Sequence, residues 1–161
     1  LIEILLKRGG KIKSLFDPTG KKISYYQVNA TFFSALGEDP RKLLIARAIQ
    51  LFMPGTPQVW YLDLFAGKND SQAAEKRGSG SHKEINRTNL SQSEIESVLH
   101  LDVVQEQLEM IKLRKTSQAF DGKVEFEDCS SEEIRIHWTH ESEKVSLLAN
   151  LNTMDFSIKR F

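Results

Sequence analysis

Residues 39–65, DPRKLLIARAIQLFMPGTPQVWYLDLF, decide how this sequence is read. Asp39 and Pro40 form a helix start: an acid that can receive orphan N–H groups, then a ring already fixed near helical φ. The run from Arg41 to Met53 is apolar around most of its circumference, with Arg47 and Gln50 as interruptions. It predicts a largely buried helix that stops at Pro54-Gly55. TPQVWYLDLF follows, short and almost wholly apolar, and reads as one strand covered on both faces. A buried helix feeding a buried strand is the unit of a parallel sheet, so α/β structure is expected. Asp63 then stands at the C-terminal end of a buried strand, where barrel folds project functional side chains; it is equally a polar strand end that caps the next loop.

Upstream, Ile2, Leu5 and Leu6 share one face of a short helix that Gly9-Gly10 ends. KIKSLF and KKISYYQVN flank Asp17-Pro18-Thr19-Gly20, which predicts a β-hairpin. Thr31–Leu36 reads as a helical turn closed by Gly37. Downstream, residues 66–90 form the least regular stretch, a length of loop that is usually functional. Ser91 and Glu94 make a capping box for a helix through Leu99. Asp102 is expected to cap a further helix whose buried stripe is Val104, Leu108 and Ile111. After Asp121-Gly122 the period becomes two: KVEFED, EIRIHWTH, KVSLLANL and DFSIKRF predict four antiparallel strands. The division is therefore drawn near residue 120, with an α/β part at 1–120 and a small all-β part at 121–161.

Composition narrows the function. The 161 residues carry 22 basic and 22 acidic side chains, so bulk charge gives no reason to expect nucleic-acid binding. The charge is unevenly spread, with six bases and two acids in residues 1–22 and nine acids and five bases in 121–161. One cysteine, Cys129, excludes an internal disulfide and a Cys-based zinc site, and suggests a reducing compartment. No run approaches the roughly 18 apolar residues of a membrane span. Gly78-Ser79-Gly80 lacks the spacing of a dinucleotide loop, and His137 and His140, three apart on a strand, fall on opposite faces.

Three segments then combine: YYQVNATFFSALG at 25–37, RAIQLFMPGTPQVWYLDLFAGKND at 47–70, and EINRTNLS at 84–91. Together they resemble the C-terminal third of the sucrose phosphorylases, within the α-amylase superfamily, over about Ile23 to Gly122. The resemblance implies the C-terminal part of a (β/α)8 barrel followed by a small antiparallel β domain. It also implies a retaining double displacement, with a carboxylate nucleophile and an acid/base Glu about 5–5.5 Å apart, and phosphate as the final acceptor giving glucose 1-phosphate.

The motifs carrying those carboxylates do not occur here, so no catalytic residue is assigned. The chain also starts on Leu1, and it is expected to be a piece of a longer polypeptide. By resemblance Arg87 contacts the bound glucosyl unit, Tyr26 contacts phosphate and Gln27 contacts fructose. Sucrose-specific members carry Asp where this chain has Ser24; with Lys21 and Lys22 nearby, an anionic acceptor such as a sugar phosphate or glycerate is expected. No metal and no organic cofactor is implied. The partners are a small sugar substrate and inorganic phosphate, in a cytoplasmic parent enzyme. The apolar helix 41–53 and strand 59–64 also suggest self-association or a companion polypeptide. The alternative is a non-catalytic carbohydrate-binding or structural module.

Overall fold

The computed structural model describes residues 1–76 and 81–161, so Gly78-Ser79-Gly80 lies outside the described residues. The chain forms two compact units. The first joins Leu1–Asp39 to Trp60–His100; the second joins Pro40–Val59 to Leu101–Phe161. The change of period near residue 120 therefore falls within the second unit.

The first unit contains helix α1 (Ile2–Lys7), the antiparallel pair β1 (Lys11–Phe16) and β2 (Lys22–Asn29), and α2 (Phe32–Ala35). After Trp60 come α4 (Tyr61–Leu64), α5 (Ser71–Lys76), a 3-10 turn (Ser81–Asn86) and α6 (Gln92–Val98). The hairpin, the turn at α2 and the Ser91–Glu94 capping box all form as their residues predict. The second unit contains α3 (Pro40–Phe52), α7 (Asp102–Thr116) and a four-stranded antiparallel sheet. Its strands are β3 (Lys123–Phe126), β4 (Glu133–His140), β5 (Glu143–Asn150) and β6 (Asp155–Arg160), paired in chain order.

TPQVWYLDLF is not a strand. Residues 56–60 carry no regular structure and Tyr61–Leu64 is a helical turn. A parallel strand needs neighbours to take its N–H and C=O groups, and every strand pair among the described residues is antiparallel. The backbone is satisfied locally instead, by Leu64 N to Trp60 O (3.1 Å) and Gly67 N to Leu62 O (2.8 Å). No parallel sheet of a barrel thus forms among the described residues. Residues 66–90 are also more regular than expected, since α5 and the 3-10 turn lie within them.

In the second unit, α3 packs against the sheet and α7 packs against α3. Leu44, Ile45, Ala48, Leu51 and Phe52 of α3 join Met110 of α7 and Ile136, Trp138, Val145, Leu147 and Ala149 of the sheet in one core. Burying each large side chain contributes about 1.5–3 kcal/mol. This helix is therefore covered within the chain and not left bare to water. Trp138 Nε1 donates to the Phe52 carbonyl (2.7 Å), and Phe120 meets Phe52 edge-on at 5.2 Å between ring centres.

Two details of α7 differ from the pattern. Leu101 occupies the cap position and Asp102 is the first helical residue. The fully buried face is Val104, Gln107 and Met110, while Leu108 and Ile111 are half-buried. Gln107 displaces the apolar stripe because it serves Arg47, which is only 2% exposed. Arg47 Nε donates to Gln107 Oε1 (2.9 Å), and Gln50 accepts from the same guanidinium. A buried cation without such acceptors would cost several kcal/mol, roughly.

Two predictions follow from this unit. A Cβ at Gly122 would lie 2.0 Å from the Thr139 carbonyl oxygen and 2.8 Å from His140 Cα. Gly122→Ala should lower stability by about 1–3 kcal/mol in urea unfolding, because backbone must move. Glu143 accepts from Ser117 Oγ (2.8 Å) and Gln118 N (3.0 Å) and pairs with Arg160 (2.7 Å). The Ser117 hydroxyl, then Arg160, holds its carboxyl below the ordinary value of 4.5. A depressed folded value means stabilisation that is present above 4.5 and lost as pH falls through the folded value. Acid unfolding of Glu143→Gln should show a shallower dependence below that pH than the parent chain.

Candidate functional site

The residues marked by sequence, Tyr26, Gln27 and Arg87, all lie in the first unit. The hairpin that carries two of them is set by its turn. Asp17 Oδ1 accepts from Thr19 N (2.9 Å), Thr19 Oγ1 (2.6 Å) and Lys21 N (2.9 Å), and Gly20 takes φ +85°. These donors, the Thr19 hydroxyl first, hold the Asp17 carboxyl below its usual value. Lys13 pairs with Gln27 and Ser14 with Tyr25, so Tyr26 is left without a partner, a bulge. A bulge re-aims a side chain and recurs beside functional sites. Tyr26 is 60% exposed rather than packed on a core, with Lys13 Nζ 5.4 Å from its ring centre. Lys22 Nζ sits 3.2 Å over the Tyr25 ring, and Gln27 is half-buried.

Residues 60–70 organise the rest of the unit. Asp63 does not stand at a strand end. It lies in α4, and its Oδ1 accepts from Phe32 N (2.6 Å). Asn69 Oδ1 accepts from Thr31 N (2.7 Å), its Nδ2 donates to Arg8 O (3.2 Å), and its own N–H donates to Ser34 Oγ (3.0 Å). Asp70 caps α5 through Ala73 N (2.9 Å) and receives Thr88 Oγ1 (3.4 Å). Neither Asn69 nor Asp70 was singled out by sequence; the signal available was their place in the shared AGKND segment.

Arg87 is exposed and directly follows the 3-10 turn. It opens onto a cleft of about 360 Å³ that Asp70, Lys76, Glu84 and Thr88 also line. Two bases and two acids thus face one small polar space, suited to hydroxyl-rich or charged ligands. Its neighbours are held tightly. Trp60 Nε1 donates to Asn86 O (3.0 Å), and the Tyr61 hydroxyl donates to Thr88 O. Asn86 Nδ2 donates to Ala30 O (3.2 Å), which ties the Arg87 segment to the end of the strand bearing Tyr26 and Gln27. Those two residues do not line the Arg87 cleft.

Among the described residues, no group of three or more His, Cys, Asp or Glu side chains is placed to hold a metal ion. Cys129 is exposed. His137 lies between Ser146 Oγ (2.8 Å) and Glu127 Oε2 (2.9 Å) on the sheet. Among the described residues no helix is long and apolar enough to cross a membrane.

No family model matches the chain. Sucrose 6(F)-phosphate phosphorylase of Ilumatobacter coccineus is 54% identical over 158 residues, 98% of this chain and 30% of that protein. The crystal structure of sucrose 6F-phosphate phosphorylase from Thermoanaerobacter thermosaccharolyticum matches with a TM-score of 0.89 at 37% identity, covering 99% of this chain and 32% of that one. An α-amylase from H. orenii shares the fold at a TM-score of 0.55 and 17% identity, over 76% of this chain and 28% of its own. The chain spans about a third of the length of the phosphorylases it matches. It resembles a C-terminal portion of sucrose-phosphorylase-type enzymes, and the likeness runs along the whole chain rather than residues 23–122 alone.

Asn69 gives the sharpest stability test of this unit. Thr31 is fully buried, and Asn69→Ala leaves its N–H without the amide oxygen. The expected loss is about 1–3 kcal/mol by urea unfolding.

Proposed function

We propose that this chain is the substrate-holding C-terminal portion of a retaining glucoside phosphorylase acting on a phosphorylated sucrose. Residues 1–120 belong with a (β/α)8 catalytic barrel as its C-terminal part, and 121–161 follow as the small β domain. In the intact enzyme a carboxylate attacks the anomeric carbon. The glycosidic C–O bond breaks, and an acid/base Glu gives its proton to the departing fructosyl oxygen. A phosphate oxygen then displaces the carboxylate from the same carbon, releasing glucose 1-phosphate. Both carboxyl groups come from outside the motifs of this chain. The reaction calls for no metal and no organic cofactor, and its setting is the cytoplasm.

The observation that carries this reading is Arg87, presented at an open polar cleft by a segment gripped on both sides. Its planar guanidinium can give several fixed hydrogen bonds to the hydroxyls of a glucosyl unit. Tyr26 and Gln27 serve phosphate and the fructosyl acceptor. Ser24 in place of a carboxylate, with Lys13, Lys21 and Lys22 on the same hairpin, favours an acceptor that bears its own phosphate. The Ilumatobacter relative, 54% identical, bears the name of an enzyme for such a substrate.

The test is phosphorolysis by the intact enzyme, read as glucose 1-phosphate released from sucrose 6F-phosphate and from sucrose. Turnover should require phosphate and favour the phosphorylated sugar. Arg87→Lys keeps the charge but loses the fork, and kcat/KM should fall by about ten- to hundred-fold with Tm unchanged. A carbohydrate-binding module without catalysis would instead bind glycans with no phosphate-dependent release. Unchanged kinetics in Arg87→Lys would remove that residue from the site.

A further inference from the structure

The two consecutive aromatics of α4's start hold Arg87 in a way the phosphorylase reading does not itself require. Trp60 and Tyr61 are neighbours in sequence, with ring centres 4.9 Å apart and planes tilted by 50°. Each aims its polar atom at a backbone carbonyl of the same segment. Trp60 Nε1 takes the carbonyl of Asn86, and the Tyr61 hydroxyl takes the carbonyl of Thr88. These are the residues immediately before and after Arg87. Trp60 remains 49% exposed, so burial of its indole does not explain its placement.

We infer that Trp60 and Tyr61 are positioning residues that clamp the backbone on both sides of Arg87 and so fix where its guanidinium is presented. The inference rests on Arg87 holding the glucosyl unit. The segment gains from such a clamp because it leaves a 3-10 turn whose closing backbone bond at this point is Arg87 N to Glu84 O (3.2 Å). The i→i+3 bond is a weak restraint by itself. A long side chain on a loose backbone loses much of the advantage of a planar donor fork, since small displacements from productive geometry reduce rate steeply. Trp60 holds the peptide plane that enters Arg87, and Tyr61 holds the plane between Thr88 and Asn89, so the backbone is pinned on either side of Arg87. The Asn86 side chain adds the link to Ala30, which keeps the clamped segment in register with β2.

The experiment is a double-mutant cycle in the intact enzyme, with sucrose 6F-phosphate as donor and inorganic phosphate as acceptor. Tyr61→Phe deletes one donor and keeps the ring. It should lower kcat/KM for the sugar by about three- to tenfold, while KM for phosphate and Tm stay within error. In an Arg87→Lys background the same change should cost less than about twofold, because the clamp acts through the fork already removed. Trp60→Phe should behave likewise and serves as the second arm if Tyr61→Phe lowers Tm. Equal losses in both backgrounds would overturn the clamp while leaving Arg87 in the site. A full loss in Arg87→Lys with none in Tyr61→Phe or Trp60→Phe would do the same. No loss in Arg87→Lys itself would overturn the underlying reading, and the clamp with it.

Discussion

The first unit depends on two backbone N–H groups that its own helix cannot satisfy. α2 is four residues long, so all the donors of its first turn are orphans. Thr31 caps Ser34 N with its own hydroxyl, but the N–H groups of Thr31 and Phe32 point away from the helix. Asn69 and Asp63 receive them. Residues 63–69 are thereby fixed against residues 29–34, and the flanking segments inherit that placement. Asp63 fixes α4, hence Trp60 and Tyr61; Asn69 fixes Asp70, hence α5 and Thr88. The Arg87 segment is thus suspended between two extensions of one capping arrangement. Gly67 makes the return possible, because a Cβ there would lie 2.3 Å from Leu62 Cδ1.

The second unit solves a different problem. α3 carries a cation into a core built of aliphatic and aromatic side chains. Amide oxygens of Gln107 and Gln50 accept from the buried Arg47 guanidinium, and Gln107 is itself anchored by Nε2 to Val103 O (3.1 Å). The polar exception therefore links the register of α7 to α3, since sliding either helix by one residue would part Arg47 from Gln107. Arg114 works at the opposite margin of the core. Its guanidinium lies 4.3 Å above Phe120 and 4.9 Å above Trp138 and donates to Gly55 O (2.9 Å), joining cation–π attraction to a hydrogen bond that ends α3's exit.

The sequence shows this fold where the determinants are local. Asp17-Pro18-Thr19-Gly20, the Ser91–Glu94 box and the alternation after Gly122 each carry their structure within a few residues, and each forms as read. The stretch 56–65 was misread because a short apolar run has no period of its own, so strand and buried helical turn look alike. Partners for a parallel strand, which would have decided it, do not occur among the described residues. The candidate site was legible only in part. Arg87, Tyr26 and Gln27 stood out through shared motifs, and the bulge at Tyr26 left no trace in composition. Asp63, Asn69, Trp60 and Tyr61 act on backbone groups more than twenty residues away in sequence. Contacts of that kind have no periodic signature, and an apolar-looking WY pair hides two hydrogen-bond donors.

The same two indoles give each unit its own optical label. The chain has two tryptophans, and they fall one in each unit: Trp60, half in water, and Trp138, 5% exposed against Phe120 with its N–H on a carbonyl. An indole sealed in an apolar core emits at shorter wavelength than one bathed by solvent. The blue edge of the emission band therefore reports the helix-and-sheet unit, and the red edge the unit that presents Arg87. Quenching by a polar solute would reach Trp60 first. Ligand capture and global melting thus become separable in a single cuvette, with no added dye.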